Sequence, residues 1–393
     1  MGAMLFFMAM VSAPLGAAGV QLDLTAIPDT ERVARISDED AGVQLANRRP
    51  IPLTEREGVH GDKCFEEMTP GRPTLAYLNK GVPYKALWER TFLKELLHDV
   101  GDILICDLPG KSEMILQLLA QSKDDPVGLI VAGFPQQMQL HDLEEILQQS
   151  AKKPRVLLHF SDEAGKHDPN WIYPRIMPHD GLVLRQYQFW DTLPTEPRTR
   201  VMPLGYNMHL DFDGDSCSAA MLNAANGTRQ RKYGWAFVGG MHDTPWGNRA
   251  DMVSELLGGK RFSHDDQLDS TEAFVGQKKG AEMFDVYKQA VFAPNLPGAK
   301  NNECFRVYES AIAGAIPVIV GDAHEIQRAY SYHGFKGDKP PFLFASTWKD
   351  ARTKMRRLLR HRRRLEAMHK ELPRWYCSWM RGIQNELDKA LSK

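Results

Sequence analysis

The chain has 393 residues, of which 43% are hydrophobic and 25% charged, and its formal net charge is −1. That composition excludes a disordered or fibrous protein and allows two globular domains of ordinary size. A net charge near zero also argues against nucleic acid as a partner and against an anionic membrane drawn by the global field, so any anion binding must be local.

Residues 1–22 carry no charge after the amino terminus, and Met4 to Val11 is a compact apolar run followed by the small residues Ala17-Ala18-Gly19. This pattern predicts a signal peptide or a short anchor, although the first basic residue is Arg32. It places the protein in the secretory pathway, in the lumen of the Golgi or endoplasmic reticulum, with membrane association through the N-terminus left open. Residues 23–70 are polar and without periodicity, and read as a stalk or lead-in segment.

From 71 to 206 the chain alternates. Helical spacing over Leu87–Val100, Met114–Gln121 and His141–Ser150 is interleaved with short apolar runs at Ile103–Cys106, Val127–Ala132, Val156–Phe160, Leu182–Leu184 and Arg200–Met202. Such alternation predicts a largely parallel sheet with helices on both faces. Residues 207–232 are rich in Asp, Ser, Asn and Gly and read as an interdomain linker, with the sequon Asn226-Gly227-Thr228 inside it.

A second α/β half is expected over 233–345. It opens with the strand Trp235–Val238, which runs into Gly239-Gly240, and continues through helices at Arg249–Leu257 and Ala281–Gln289. A short apolar run (Val291, Phe292, Ala293) then leads through a Pro- and Gly-rich loop to a helix capped by Asn301 and Asn302. Phe305, Tyr308 and Ile312 form its apolar stripe, Gly314 its stop, and Ile316–Val320 the strand that follows. Phe342–Phe344 is the last strand candidate. Residues 346–393 are expected to be helical; the basic run Arg356–Arg364 suits a grip on an acidic polysaccharide or a membrane surface, and better suits the exposed face of a C-terminal helix with Trp375, Trp379 and Met380 on its buried side.

Several groups fall where parallel α/β proteins hold function, just beyond strand ends. Arg306 and Glu309 are three apart on the helix after the glycine loop and can meet one ligand there. The N-terminus of that helix, with Asn302, offers free N–H groups to an anion. Gly239 and Gly240 allow close backbone approach, and Arg249 begins the next helix as a second phosphate ligand. In the first half, His159, Asp162 and Glu163 follow one strand and Arg185 ends the next. Asp162 and Glu163 are the candidate catalytic bases, His159 reads as a core residue, and Arg185 is placed to contact phosphate or orient the carboxylates. Asp162 equally suits an N-cap.

No metal is expected. Asp211-Phe212-Asp213 sits in the linker, and as a calcium loop the segment has Ser216 and Leu222 where Gly and Glu belong. Five scattered cysteines (Cys64, Cys106, Cys217, Cys304, Cys377) contain no C-x-x-C pair, so zinc is not indicated. In a luminal chain, one or two disulfides remain open.

Arg306, Glu309 and the run Gly314-Ala315-Ile316-Pro317-Val318-Ile319 together resemble the nucleotide-sugar site of exostosin-like glycosyltransferases. Ser161-Asp162-Glu163, Leu184-Arg185-Gln186-Tyr187 and Pro203-Leu204-Gly205-Tyr206 resemble first-half segments of the same enzymes. The resemblance implies a GT-B fold: two Rossmann-like parallel-sheet domains facing a cleft. It also implies inverting, metal-independent sugar transfer from a nucleotide-diphosphate sugar, used as donor substrate without a further cofactor, to a glycan or glycoprotein acceptor. In that scheme Arg306 meets the diphosphate and Glu309 the ribose. The rival reading is a non-catalytic carbohydrate-binding protein that retains the fold. A nucleotide-dependent oxidoreductase is disfavoured, since no G-x-G-x-x-G follows the Trp235 strand.

Overall fold

The structure, a computed structural model, describes residues 55–58, 72–78, 84, 87–106, 127–132, 144–145, 147–148, 153–160, 171–186, 197–207, 209–212, 215–240, 249–257, 265–271, 280–298, 303–330 and 339–392. The leader expected at 1–22, most of the stalk, and the helix expected at Met114–Gln121 lie outside these residues.

Two sheets organise the chain, and every strand pairing in both is parallel. The first comprises β1 (Glu55–Gly58), β2 (Thr74–Leu78), β3 (Asp102–Cys106), β4 (Val127–Ala132), β5 (Val156–Phe160), β6 (Leu182–Arg185) and β7 (Arg198–Val201), in the order β1-β3-β2-β4-β5-β6-β7. The second comprises β8 (Tyr233–Gly240), β9 (Asp265–Thr271), β10 (Ala290–Asn295), β11 (Ile316–Val320) and β12 (Leu343–Ala345), in the order β12-β11-β10-β8-β9. The α/β class with two Rossmann-like parallel sheets is thus the observed architecture, as expected of the GT-B type.

Central strands of parallel sheets are covered on both faces and are therefore apolar throughout. In β5, Leu158 and Phe160 join one apolar cluster while Leu157 joins the other, so successive side chains feed opposite layers. The charged β1 (EREG) and polar β9 (DDQLDST) lie at sheet edges, and neither was anticipated from hydrophobic pattern.

The described helices are α1 (Arg90–Leu97), α2 (Tyr173–Ile176), α3 (Ser216–Ala225), α4 (Arg249–Leu257), α5 (Gly280–Lys288), α6 (Phe305–Ile312), α7 (Ala323–Tyr330), α8 (Trp348–Arg360) and α9 (Arg362–Leu391). The stretch expected as a linker at 207–232 in fact contains α3. Its low aliphatic content hid an Ala-rich helix whose N-cap, Asp215, accepts from the Ser218 N–H at 2.8 Å. Asp215 therefore serves the helix, and Asp211 is exposed.

The C-terminal helical region breaks at His361 (φ −100°, ψ 66°). Beyond the break, α9 packs back across the first half. Trp379 stacks on Phe92 of α1 at 6.1 Å, the Gln384 amide donates to Glu95 O at 3.1 Å, and Arg198 pairs with Glu386 at 3.0 Å. Trp375, Trp379 and Met380 are buried as expected; of the basic run, Arg357, Arg360, Arg363 and Arg364 are exposed, whereas Arg356 and Arg362 are half-buried. Among the described residues, no helix is long and apolar enough to cross a membrane.

In the second sheet, β8 has β9 on one side and β10 on the other, so the strand order reverses between β8 and β10. The carboxyl ends of two such strands open a crevice, the usual ligand position in an open parallel sheet. Helix α6 follows β10 at that edge.

Candidate functional site

Helix α6 begins at this reversal and presents its groups in three directions. Its first turn carries Arg306, whose Nε donates to the carbonyl of Val238 at the carboxyl end of β8 at 2.7 Å. The guanidinium lies directly over Gly239: a Cβ built there would sit 3.1 Å from Arg306 Nη2 and 3.0 Å from the tip of Phe237. A side chain at this position would have to push these two side-chain ends back by a few tenths of an ångström. Arg306 is half-buried. Burial works against its charge, but its interactions with Tyr287, Glu309 and Cys304 outweigh this and hold its pKa above the ordinary value.

One turn later Glu309 is 3% exposed, and its Oε1 accepts the Asn207 N–H at 3.2 Å. Burial raises its pKa, opposed by Arg306 and by that hydrogen bond. A second carboxylate, Glu303, precedes the helix and is also buried. It accepts from the Leu204 N–H at 3.1 Å and from the Tyr308 hydroxyl. Both acids therefore fasten α6 to the crossing segment 203–207. The Phe305 ring adds a contact with Trp88 of the first half, with centroids 6.1 Å apart.

The same segment explains the Pro203-Leu204-Gly205-Tyr206 run. Gly205 has φ +71°, and a Cβ there would meet the Phe92 ring at 2.3 Å. Leu204 O accepts from Gln186 at 3.2 Å, and the Tyr206 hydroxyl donates to Glu95 at 2.6 Å. These residues build the junction between the halves.

The far end of α6 closes with a Schellman motif: Gly314 (φ +75°) donates to Ala311 O and Ala315 N to Ser310 O, each at 2.9 Å. Gly314 is thus the helix stop read from the sequence. Against it lies Arg231, which donates to the carbonyls of Tyr287 (3.1 Å), Ala290 (2.8 Å), Asn223 (3.1 Å) and Ala313 (3.1 Å). Nothing in the local sequence marks Arg231, because its partners come from four separate elements.

The remaining candidates are dispersed. Arg249 opens α4 and is 7% exposed. Gly240 ends β8, in register with Thr271. Arg185 is fully buried in the first sheet, its guanidinium carbon 6.0 Å from the Tyr173 ring centroid. His159 is fully buried and hydrogen-bonded to the Tyr173 hydroxyl at 2.8 Å, a core histidine as expected. Asp162, Glu163 and Asn302 lie outside the described residues. Among the described residues no cluster of three or more His, Cys, Asp or Glu is arranged to hold a metal.

A family model described as the RXYLT1 C-terminal domain matches residues 218–393, which include β8, α6 and α9. Ribitol-5-phosphate xylosyltransferase 1 of Danio rerio is 21% identical over 237 residues, covering 57% of this chain and 52% of that protein. The chain thus spans about half the length of this curated relative. Among solved structures, Anabaena Alr3699/HepE in complex with UDP and glucose aligns with a TM-score of 0.43 at 9% identity, covering 82% of this chain and 98% of that one. T4 phage BGT in complex with its UDP-glucose substrate aligns with a TM-score of 0.38 at 12% identity, covering 82% and 99%.

Proposed function

We propose that the protein is a glycosyltransferase that binds a nucleotide-diphosphate sugar at the carboxyl edge of its second sheet and transfers the sugar to a glycan or glycoprotein acceptor. The observation that carries this reading is the position of Arg306: a half-buried, charged guanidinium beside a glycine, at the point where the strand order reverses. The match to the RXYLT1 C-terminal domain, which covers this helix, and the zebrafish relative support nucleotide-sugar transfer. The finer, exostosin-like assignment rests on Arg306, Glu309 and the Gly314–Ile319 run. Because the relative is named a xylosyltransferase, xylose is the first donor sugar to test and ribitol-5-phosphate the first acceptor group.

In this reading Arg306, on the first turn of α6, neutralises the diphosphate as it departs, a preorganised positive charge for developing negative charge. Glu309 uses Oε1 on Asn207, and its second oxygen is assigned to a ribose hydroxyl. Asp162 or Glu163 removes the acceptor proton. Inversion, metal independence and a luminal location follow from the resemblance and the leader, and belong to the proposal.

A thermal-shift screen of the full chain against uridine, guanosine, adenosine and cytidine diphosphates tests the donor half, since a ligand that binds only the folded state raises Tm with occupancy. One nucleotide is expected to stand out. Release of that nucleotide from its sugar conjugate then separates a transferase from a carbohydrate-binding protein. No shift with any nucleotide would refute the site.

A further inference from the structure

Away from α6, the connector helix α3 meets the C-terminal helix α9. Ser216, the first residue of α3, and Tyr376 of α9 share a hydrogen bond of 2.7 Å between their hydroxyls. Ser216 also donates to Glu95 from its backbone N at 2.9 Å and its Oγ at 2.7 Å, so the two helices and α1 are pinned at one point. The next residue along each helix is a cysteine, Cys217 on α3 and Cys377 on α9. Both thiols are free in the structure, and the Cys377 side chain is the main influence on the Cys217 thiol. Cys377 is 6% exposed, and Cys217 is half-buried against the same apolar cluster. The third described thiol, Cys304, lies elsewhere, 4.0 Å from the Asn295 side-chain oxygen.

We propose that Cys217 and Cys377 form a disulfide that staples α3 to α9. Ser216 and Tyr376, one residue before each cysteine, already bring the two helices to a 2.7 Å contact, and a disulfide then requires the neighbouring sulfurs to close to about 2.05 Å. Each thiol gives up its proton, one S–S bond forms, and the two electrons pass to a disulfide oxidant, small-molecule or protein, which leaves as two thiols. The bridge joins the start of the second half to the end of the chain and encloses the whole second sheet in its loop. Cross-links that close long loops restrict the unfolded chain most.

The Cys377 side chain, together with burial, holds the Cys217 thiol far above its ordinary pKa. Thiolate is the attacking species, so the reaction belongs to folding, before α9 seals the contact. Once formed, the bond is screened from reductants. The proposal is independent of the donor-site reading, because it concerns a contact with no part in nucleotide binding.

The test uses the full chain folded in a glutathione redox buffer, digested without reduction and mapped by mass. The expected product is the Cys217 peptide joined to the Cys377 peptide, two hydrogen masses below their sum. In denaturant both cysteines should resist alkylation until reductant is added, while Cys304 is labelled. Reduction should lower Tm by roughly 5 °C or more, and Cys217→Ser should remove most of that reductant-dependent fall. Full alkylation of both thiols in the oxidatively folded protein, or a bridge from either to another cysteine, would overturn the assignment. Because the decisive readout is the unmutated protein, a poorly folding variant does not decide it.

Discussion

Arg231 and Arg306 stand at opposite ends of helix α6 and do different work. Arg231 is 4% exposed and spends its donors on four carbonyls from α3, α5, β10 and the end of α6. Arg306 is half-buried, donates Nε to one carbonyl, Val238, and has Gly239 and the Tyr287 side chain beside the rest of its guanidinium. Burial lowers the pKa of Arg231 to about 10, whereas the acidic groups around Arg306 hold its pKa above the ordinary value. An arginine whose fork is occupied by backbone carbonyls is a structural keystone. One at a sheet edge, beside a glycine and in reach of solvent, is a candidate anion ligand. The two residues are indistinguishable by type, and only their partners separate them.

The sharpest way to break this contrast is Arg231→Met, which preserves bulk but leaves the carbonyls without their donor. The loss is expected to be roughly 3–5 kcal/mol, read as a Tm fall of roughly 5–10 °C, with nucleotide binding preserved at low temperature. A Tm within the error of the parent would show that those carbonyls find other donors. Gly314→Ala probes the same keystone less drastically. It strains a residue at φ +75° and sets a Cβ 2.4 Å from Arg231 Nη2, so the denaturant midpoint should fall by an amount equivalent to roughly 1–3 kcal/mol.

At the other end of α6, Gly239→Ala should leave stability nearly unchanged. Its Cβ would displace Arg306 by a few tenths of an ångström, and donor Kd should rise roughly tenfold, about 1.4 kcal/mol. A large Tm loss with intact affinity would reverse the roles given to the two ends. The smallest effect concerns His369 of α9. Burial, reinforced by the charge of Arg231, holds its pKa at about 4, against 6.5 for an ordinary histidine. Between these values the unfolded chain binds a proton that the folded chain refuses, so this residue makes stability fall as pH drops through the window. Denaturation of His369→Gln at pH 7 and pH 4.5 should show a smaller pH difference than the parent; an equal difference would contradict the assignment.

Much of the α/β order was legible because β4, β5 and β11 are apolar runs between helical patterns, and Gly314 is a helix stop that only φ > 0 explains. The polar edge strand β9 was not, since its sequence DDQLDST has no alternating apolar pattern and only its parallel pairing with β8 marks it as a strand. Nor was α3, because a polar, alanine-rich helix carries little hydrophobic period and is held by Asp215 and by α9. At the site, Arg306 and Glu309 were readable from their spacing on one helix, and Gly239 from its strand end. Glu303, Arg231 and Asn207 were not, because each acts through a partner distant in sequence: Glu303 on Leu204, Arg231 on Ala313, and Asn207 on Glu309.

Glu309 marks where sequence and structure pull apart. Its spacing from Arg306 suggests a ligand group, while its burial and its bond to Asn207 suggest a brace. Titration calorimetry of the stabilising nucleoside diphosphate against the parent, Arg306→Ala and Glu309→Gln addresses both residues at once. Arg306→Ala is predicted to weaken binding roughly a hundredfold or more, with a Tm loss of only a few degrees from the Val238 carbonyl and Glu309 left without their partner. Glu309→Gln is predicted to weaken it by a smaller factor. If Arg306→Ala binds the nucleotide with the parental Kd, the donor site is not on α6 and the central claim fails.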